Sequence, residues 1–196
     1  MTQYVTTPAL EDYLRSTVVA DGAEIEASAL VASSAIDAHC KRTFVVPTEA
    51  TARLFVPSSS CLLKVHDIAN TTDLAITIDG TALTADDFQL EIAPGTVGPI
   101  GVDGRTWPYA YIRLLSGGSW GCTNEATVSV TAQWGWTVVP PEVPLACRML
   151  VKDYLSSRDT RFGFVQMGDF SRMIAENGVV SGLLAPLRRV ESWGIG

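Results

Sequence analysis

The chain has 196 residues, 47% of them apolar and 18% charged, which supports a buried core and excludes wholesale disorder. Its net charge is −7, so it lacks the basic footprint that grips phosphates, and direct DNA binding is disfavoured. Residues 1–139 hold 7 basic and 15 acidic side chains and residues 140–196 hold 7 and 6, and an acidic surface repels DNA as a passage does, not a clamp.

The segment Met1–Pro8 has neither a basic stretch nor an apolar run, so no secretory signal is expected there. No stretch is long and apolar enough to span a bilayer, and no membrane role is expected. Thr7-Pro8 opens a first helix that runs to Arg15, with Thr as a cap and Pro at the first helical position. Asp21 and Glu24 have the spacing of a capping box and start a second helix ending near Lys41 or Arg42. Ile25, Ala29, Ala32, Ile36 and Cys40 recur at helical spacing and give it a narrow face of mostly small residues, suited to close packing in a core.

From Thr43 the periodicity changes. Strands are expected at 51–56, 62–65, 75–78, 81–83, 88–92, 109–115 and 127–134. Asp79-Gly80 between two of them is a two-residue hairpin signal. Residues 93–108, with four glycines and three prolines, read as a long loop, either a contact to a neighbour or a flexible tip. Pro140-Pro141 ends the β region, and a third helix runs from Glu142 to about Arg158 with Val143, Ala146, Cys147, Leu150, Val151 and Tyr154 on one stripe. Residues 159–170 are too glycine-punctuated for a helix. Residues 179–189 form a short terminal helix interrupted at Pro186, and 190–196 are expected to be mobile.

The expected fold is therefore α+β: a helical bundle of two N-terminal helices plus one long C-terminal helix, an inserted antiparallel β-rich domain, and an extended C-terminal arm. The bounds are 1–43 and 140–160 for the helical core, 44–139 for the insert and 161–196 for the arm.

Few motifs point to chemistry. Gly117-Gly-Ser119-Trp-Gly121 matches the pattern of a nucleophile elbow, which needs a strand before it and a helix after it. Strand-like residues flank both sides, as in a hairpin turn. The only histidines, His39 and His66, precede Ser119, against the hydrolase order, although other triads are ordered differently. His39-Cys40 point about 100° apart on a helix and do not share a metal, and Cys61 with His66 lacks a second ligand pair. Asp86-Asp87 read as turn residues. The four cysteines are scattered and read as buried thiols. No enzyme, metal or cofactor is expected. Trp107 and Trp120 could form a glycan or host-surface face on the β domain. Trp134 and Trp136 share a strand face, and core packing, sealing the insert onto the third helix, is the plainer reading for the tryptophans.

Four strings carry a family likeness. Val128-Ser-Val-Thr-Ala-Gln-Trp-Gly-Trp-Thr-Val-Val-Pro-Pro-Glu-Val-Pro-Leu-Ala-Cys-Arg-Met-Leu150, followed by Ser156-Ser-Arg-Asp-Thr-Arg-Phe-Gly-Phe164, resembles the head-to-tail adaptor (head-tail connector) proteins of tailed bacteriophages. Ile76 to Leu90 resembles that family's β insert, and Leu183-Leu-Ala-Pro-Leu-Arg-Arg189 resembles its closing segment. The N-terminal helices match only in general character. The resemblance implies a structural virion protein of the neck, made in the bacterial host cytoplasm. Its copies would form a homo-oligomeric ring, expected as a dodecamer, beneath the portal protein. Downstream head-tail or tail proteins would attach below, and DNA would pass through without sequence-specific binding. It also implies that the arm reaches the portal. The arm's isolated aromatics, leucines and arginines suit interface anchors: Arg161, Phe162, Phe164, Phe170, Leu183, Leu184, Leu187, Arg188, Arg189 and Trp193.

Overall fold

The computed structural model describes residues 3–14, 20–121, 125, 127–158 and 170–189. The fold is α+β, with five α-helices and two antiparallel sheets among the described residues. The chain divides into two compact units, Met1–Phe44 with Pro140–Gly196, and Val45–Val139.

In the first unit α1 is Thr7–Leu14 and α2 is Gly22–Cys40. The Asp21 carboxylate accepts the Glu24 amide at 2.8 Å, satisfying a donor that the first turn leaves unpaired. At the other end Lys41 takes a left-handed conformation with φ 55°, and its N–H donates to the Asp37 carbonyl. Ile25, Ala29, Ala32, Ile36 and Cys40 are all buried. The small residues let α3 (Glu142–Arg158) approach closely: the Cys147 Sγ lies 3.7 Å from the Ser33 Oγ. The segment before α1 is tied to the far end of α2. Tyr4 donates its hydroxyl hydrogen to Asp37 and accepts the Phe44 amide. Burial pushes the titration of both Tyr4 and Asp37 upward.

The arm is partly as expected. Residues 170–176 do not extend but fold as α4 (Phe170–Glu176), and the expected short terminal helix follows as α5 (Gly178–Leu184) with a 3-10 turn (Ala185–Leu187) at Pro186. Helix α4 packs on α2, and α5 packs on α3. Phe170 and Ile174, one turn apart, are buried, as are Val180, Leu184 and Leu187. Gly178 and Gly182 of α5 both have open space at the Cβ position. Asn177 caps α5 by accepting the Val179 and Val180 amides, each at 3.1 Å. Pro186 falls in the first turn of the 3-10 segment, where no amide hydrogen is required.

The second unit holds β1 (Thr51–Phe55), β2 (Leu62–Ile68), β3 (Ala75–Ile78), β4 (Thr81–Ala82), β5 (Phe88–Ala93), β6 (Thr96–Val97), β7 (Tyr109–Leu114) and β8 (Val128–Ala132). One sheet has the order β1-β8-β3-β4 and the other β2-β7-β5-β6, with all pairs antiparallel. Alternate residues of β7 and β8 are buried, as period-two strands covering one core require. Leu63, Val65, Ile76, Leu90, Ile112, Val130 and Trp120 meet there. At the β3–β4 hairpin Asp79 and Gly80 both have positive φ, 49° and 82°, matching the twist of the strands. Trp134 and Trp136, read as a seal onto the third helix, find ring partners inside this unit. Trp134 contacts Phe55 and His66, and its Nε1–H donates to the Thr51 carbonyl at 2.7 Å. Trp136 contacts Trp107, with ring centroids 5.4 Å apart.

Between these tryptophans Gly135 has φ 141°, and a Cβ there would fall 2.1 Å from the Val45 carbonyl oxygen. Backbone cannot yield as a side-chain tip does. Gly135→Ala should therefore lower stability by about 3 kcal/mol, measured by urea denaturation.

Glu91 is a fully buried carboxylate of this unit, in which Asp67 is buried as well. Its carboxylate accepts from Arg113 Nε at 2.5 Å, Arg113 Nη2 at 3.1 Å, Gln89 Nε2 at 2.8 Å and the Gly95 amide at 2.8 Å. The Arg113 hydrogen bond chiefly holds its pKa down to about 2, against an ordinary 4.5. A carboxyl depressed in the fold stabilises it fully above its unfolded pKa. That contribution should fade as pH falls from about 4.5 through about 2. Arg113→Met should lower the melting temperature at neutral pH, because it leaves the buried Glu91 carboxylate without its cation, and flatten the melting-temperature profile over the acid range, read by circular dichroism.

Candidate functional site

The ten residues chosen from the sequence fall into three groups. Phe170, Leu184 and Leu187 are buried in the helical unit and shape its core. Leu183 and Arg189 are half-buried and Arg188 is exposed. Arg161, Phe162, Phe164 and Trp193 lie outside the described residues.

The two arginines among the surface members stand at one place. The Arg189 amide donates to the Cys40 carbonyl at 2.8 Å, so the chain leaving the 3-10 turn is fastened to the last turn of α2. Arg188 and Arg189 thereby join Lys41 and Arg42. Burial lowers the His39 pKa, and the positive charge of Arg188 lowers it further. Basic side chains here complement the partial negative charge of the helix end. No local pattern marks this cluster, because one backbone hydrogen bond between Arg189 and Cys40 brings together residues about 150 positions apart.

The 93–108 segment is an ordered extension of the β5–β6 hairpin. Ile100 and Thr106 form a bridge, the Gly101 amide donates to Arg105 O at 2.9 Å, and the Trp107 amide donates to Pro99 O at 2.7 Å. The Asp103 carboxylate accepts Trp107 Nε1–H at 3.0 Å and the Arg105 amide at 3.1 Å. The Trp107 bond is the main reason Asp103 stays below the usual carboxylate range. Gly95, Gly98 and Gly104 have positive φ and supply the turns. The tip exposes Val97, Ile100 and Val102.

Other candidates do not assemble. Trp120 is only 2% exposed and lies in the β core, while Trp107 faces Trp136, so the two do not make a sugar-stacking face. Ser119 Oγ accepts the Gly121 amide at 3.3 Å. The next described element is strand β8, whereas the elbow needs a helix. His66 packs against Phe55 and Trp134. Asp87 closes a turn by accepting from the Thr84 amide and hydroxyl. Cys40 and Cys147 are buried, and burial pushes both thiols up to about 11. Cys61 is exposed, contrary to the expectation of burial, and Cys122 lies outside the described residues. Among the described residues no group of three or more His, Cys, Asp or Glu is placed to hold a metal ion. No described helix is long and apolar enough to cross a membrane.

The division between core and surface is measurable. Phe170→Ala should destabilise the helical unit by about 3–4 kcal/mol, whereas Arg188→Ala should stay within about 0.5 kcal/mol. Guanidinium denaturation followed by far-UV circular dichroism separates the two.

No protein-family model matches the chain, and no curated protein matches it. Among solved structures it is similar to a chain of the neck of an empty GTA (gene transfer agent) particle computed with C6 symmetry. There the TM-score is 0.60 at 14% identity, over 97% of this chain and 92% of that one. It is also similar to a chain of the neck of a native GTA particle computed with C12 symmetry. That match has a TM-score of 0.54 at 16% identity, over 99% and 96% of the two chains. At such identity the likeness is one of fold, and it spans nearly the whole of both chains.

Proposed function

We propose that this chain is a structural head-to-tail adaptor of a tailed phage or phage-like particle. Its copies form an oligomeric ring in the neck, expected as a dodecamer, under a portal protein and above further tail proteins. DNA passes through the ring without sequence-specific binding. The observation that carries this reading is the near full-length fold likeness to chains of particle necks computed with C6 and C12 symmetry.

The physical features agree with it. The chain's net charge of −7 suits a channel that does not adhere to DNA. In this reading α1, α2 and α3 form the bundle that builds the ring body. Phe170, Leu184 and Leu187, buried in that unit, hold α4 and α5 on it and so fix where the flanking residues begin. Arg161, Phe162 and Phe164 before α4, and Leu183, Arg188, Arg189 and Trp193 towards the end, are the portal and neighbour contacts. Aromatic side chains suit that task because they bury a large area with few rotors, and arginine because its planar fork brings directed hydrogen bonds. The glycan-binding alternative loses its footing with Trp120 in the core.

The decisive variant alters anchors outside the described core. Phe162→Ala, Phe164→Ala and Trp193→Ala combined should melt like the wild type but fail to enter particles, leaving heads and tails uncoupled under negative-stain microscopy. Normal incorporation of this variant would remove the anchor assignment, and absence of the wild-type chain from purified necks would remove the adaptor reading.

A further inference from the structure

A cyclic ring requires each copy to carry two different surfaces that complement one another, because neighbours meet head to tail and not face to face. The helical unit has a charge pattern of that kind along α2. This helix has 19 residues, about 28 Å at 1.5 Å per residue.

Helix α1 runs back along it. Tyr4, before α1, bonds to Ser33 and Asp37 near the end of α2. The Glu11 carboxylate lies by Gly22 at its start, 3.4 Å from where a Cβ would be. The start of α2 therefore collects Glu11, Asp12, Asp21 and Glu26, all exposed, with Glu24 half-buried. Glu26 is one turn from Gly22 and so shares the stripe that Glu11 faces. The end of α2 collects Lys41 and Arg188, both exposed, with Arg42 and Arg189 half-buried. Helix α3 runs antiparallel to α2, since Cys147 meets Ser33 while Lys152 Nζ lies 5.9 Å from the Tyr13 ring centroid. It thus brings Glu142 towards the basic corner and Lys152 towards the acidic one, and Asp37 of α2 itself stands one turn before Lys41. Four basic side chains outnumber these two carboxylates, and five carboxylates outnumber Lys152, so both corners keep their sign.

We propose that copies of this chain join head to tail by charge, the Lys41–Arg188 corner of one copy facing the Glu11–Glu26 corner of the next. This rests on the ring reading above and names the surfaces that would meet. Each corner is solvent-exposed, so the attraction is screened over about 8 Å at 0.15 M salt and chiefly sets orientation and encounter. A pair of copies leaves one corner of each sign open, so the contact propagates until the ring closes.

The test is sedimentation velocity of the full chain over a range of concentrations, at about 0.02 M and about 0.5 M NaCl. The wild type should self-associate at low salt and lose this at high salt. Lys41→Glu with Arg188→Glu should weaken association at least tenfold. Glu11→Lys with Glu26→Lys should do the same, although it moves the net charge from −7 to −3 and so reduces general repulsion. The chain with all four changes returns to −7 and should associate again. Circular dichroism melts establish that each variant is folded. Single-corner variants that associate like the wild type overturn the contact, as does a wild type with no salt-sensitive association. The adaptor reading fails separately, when the wild-type chain is missing from the particle neck.

Discussion

The helical unit depends on how closely α3 can approach α2. Ala29, Ala32 and Ser33 remove side-chain bulk from the middle of α2, and the Cys147 thiol fills the space, 3.7 Å from Ser33 Oγ and donating to Ala29 O at 3.9 Å. These residues are 114 and 118 positions apart in the chain. Closing so long a span costs conformational entropy, although the cost grows only slowly with length. A tightly packed interface with no large side chain to displace offsets it, because dispersion falls away quickly with a gap of even half an ångström. The rest of the unit is built on that pair: α1 returns along α2, α4 packs on α2, and α5 packs on α3. The β unit, with its own core, occupies the interval from Val45 to Val139.

Much of this was legible where one local rule dominates. The spacing of Asp21 and Glu24 marked the start of α2, and Asp79-Gly80 marked a turn that only positive φ permits. Strands β7 and β8 alternate because one face of each covers the core. The misses share a cause. Strand β6 has two residues and exists through its pairing with β5, a tertiary fact with no period of its own. Helix α4 has seven residues, too short to be stable alone, and it persists because Phe170 and Ile174 are buried. The 93–108 segment looked irregular because its order comes from Asp103 and backbone bonds, which composition does not display.

The candidate residues were legible by type, and type alone did not place them. Among the aromatic, leucine and arginine residues chosen near the C-terminus, Arg188 and Arg189 stand beside the last turn of α2, outside the core. The same choice drew in Phe170, Leu184 and Leu187, which are core. Residue type does not separate an anchor for a partner from an anchor for the fold, since both bury apolar area at about 25 cal/mol per Å². Neighbours separate them: Leu184 is buried, while the preceding Leu183 is only half-buried, as successive helical residues turned by 100° must differ. Trp120 makes the same point in the β unit, where a residue suited to sugar stacking serves the core.

Charge shows most clearly why composition alone misleads about function. Dividing the sequence near residue 140 made the second part look basic and the first part acidic. The folded unit divides differently: Lys41 and Arg42 from the first part stand with Arg188 and Arg189 from the last, while Glu11 and Glu26 stand at the other end of the same helix. A net charge of −7 sets how the molecule repels DNA and its own copies at long range. The separation of signs along α2 sets how two copies would be turned as they meet. The two effects act on different length scales, because screening removes the first beyond about a Debye length and leaves the second at contact. A chain can thus repel polyanions in general and still meet a neighbour in one orientation, and the proposed ring of copies around DNA would require both.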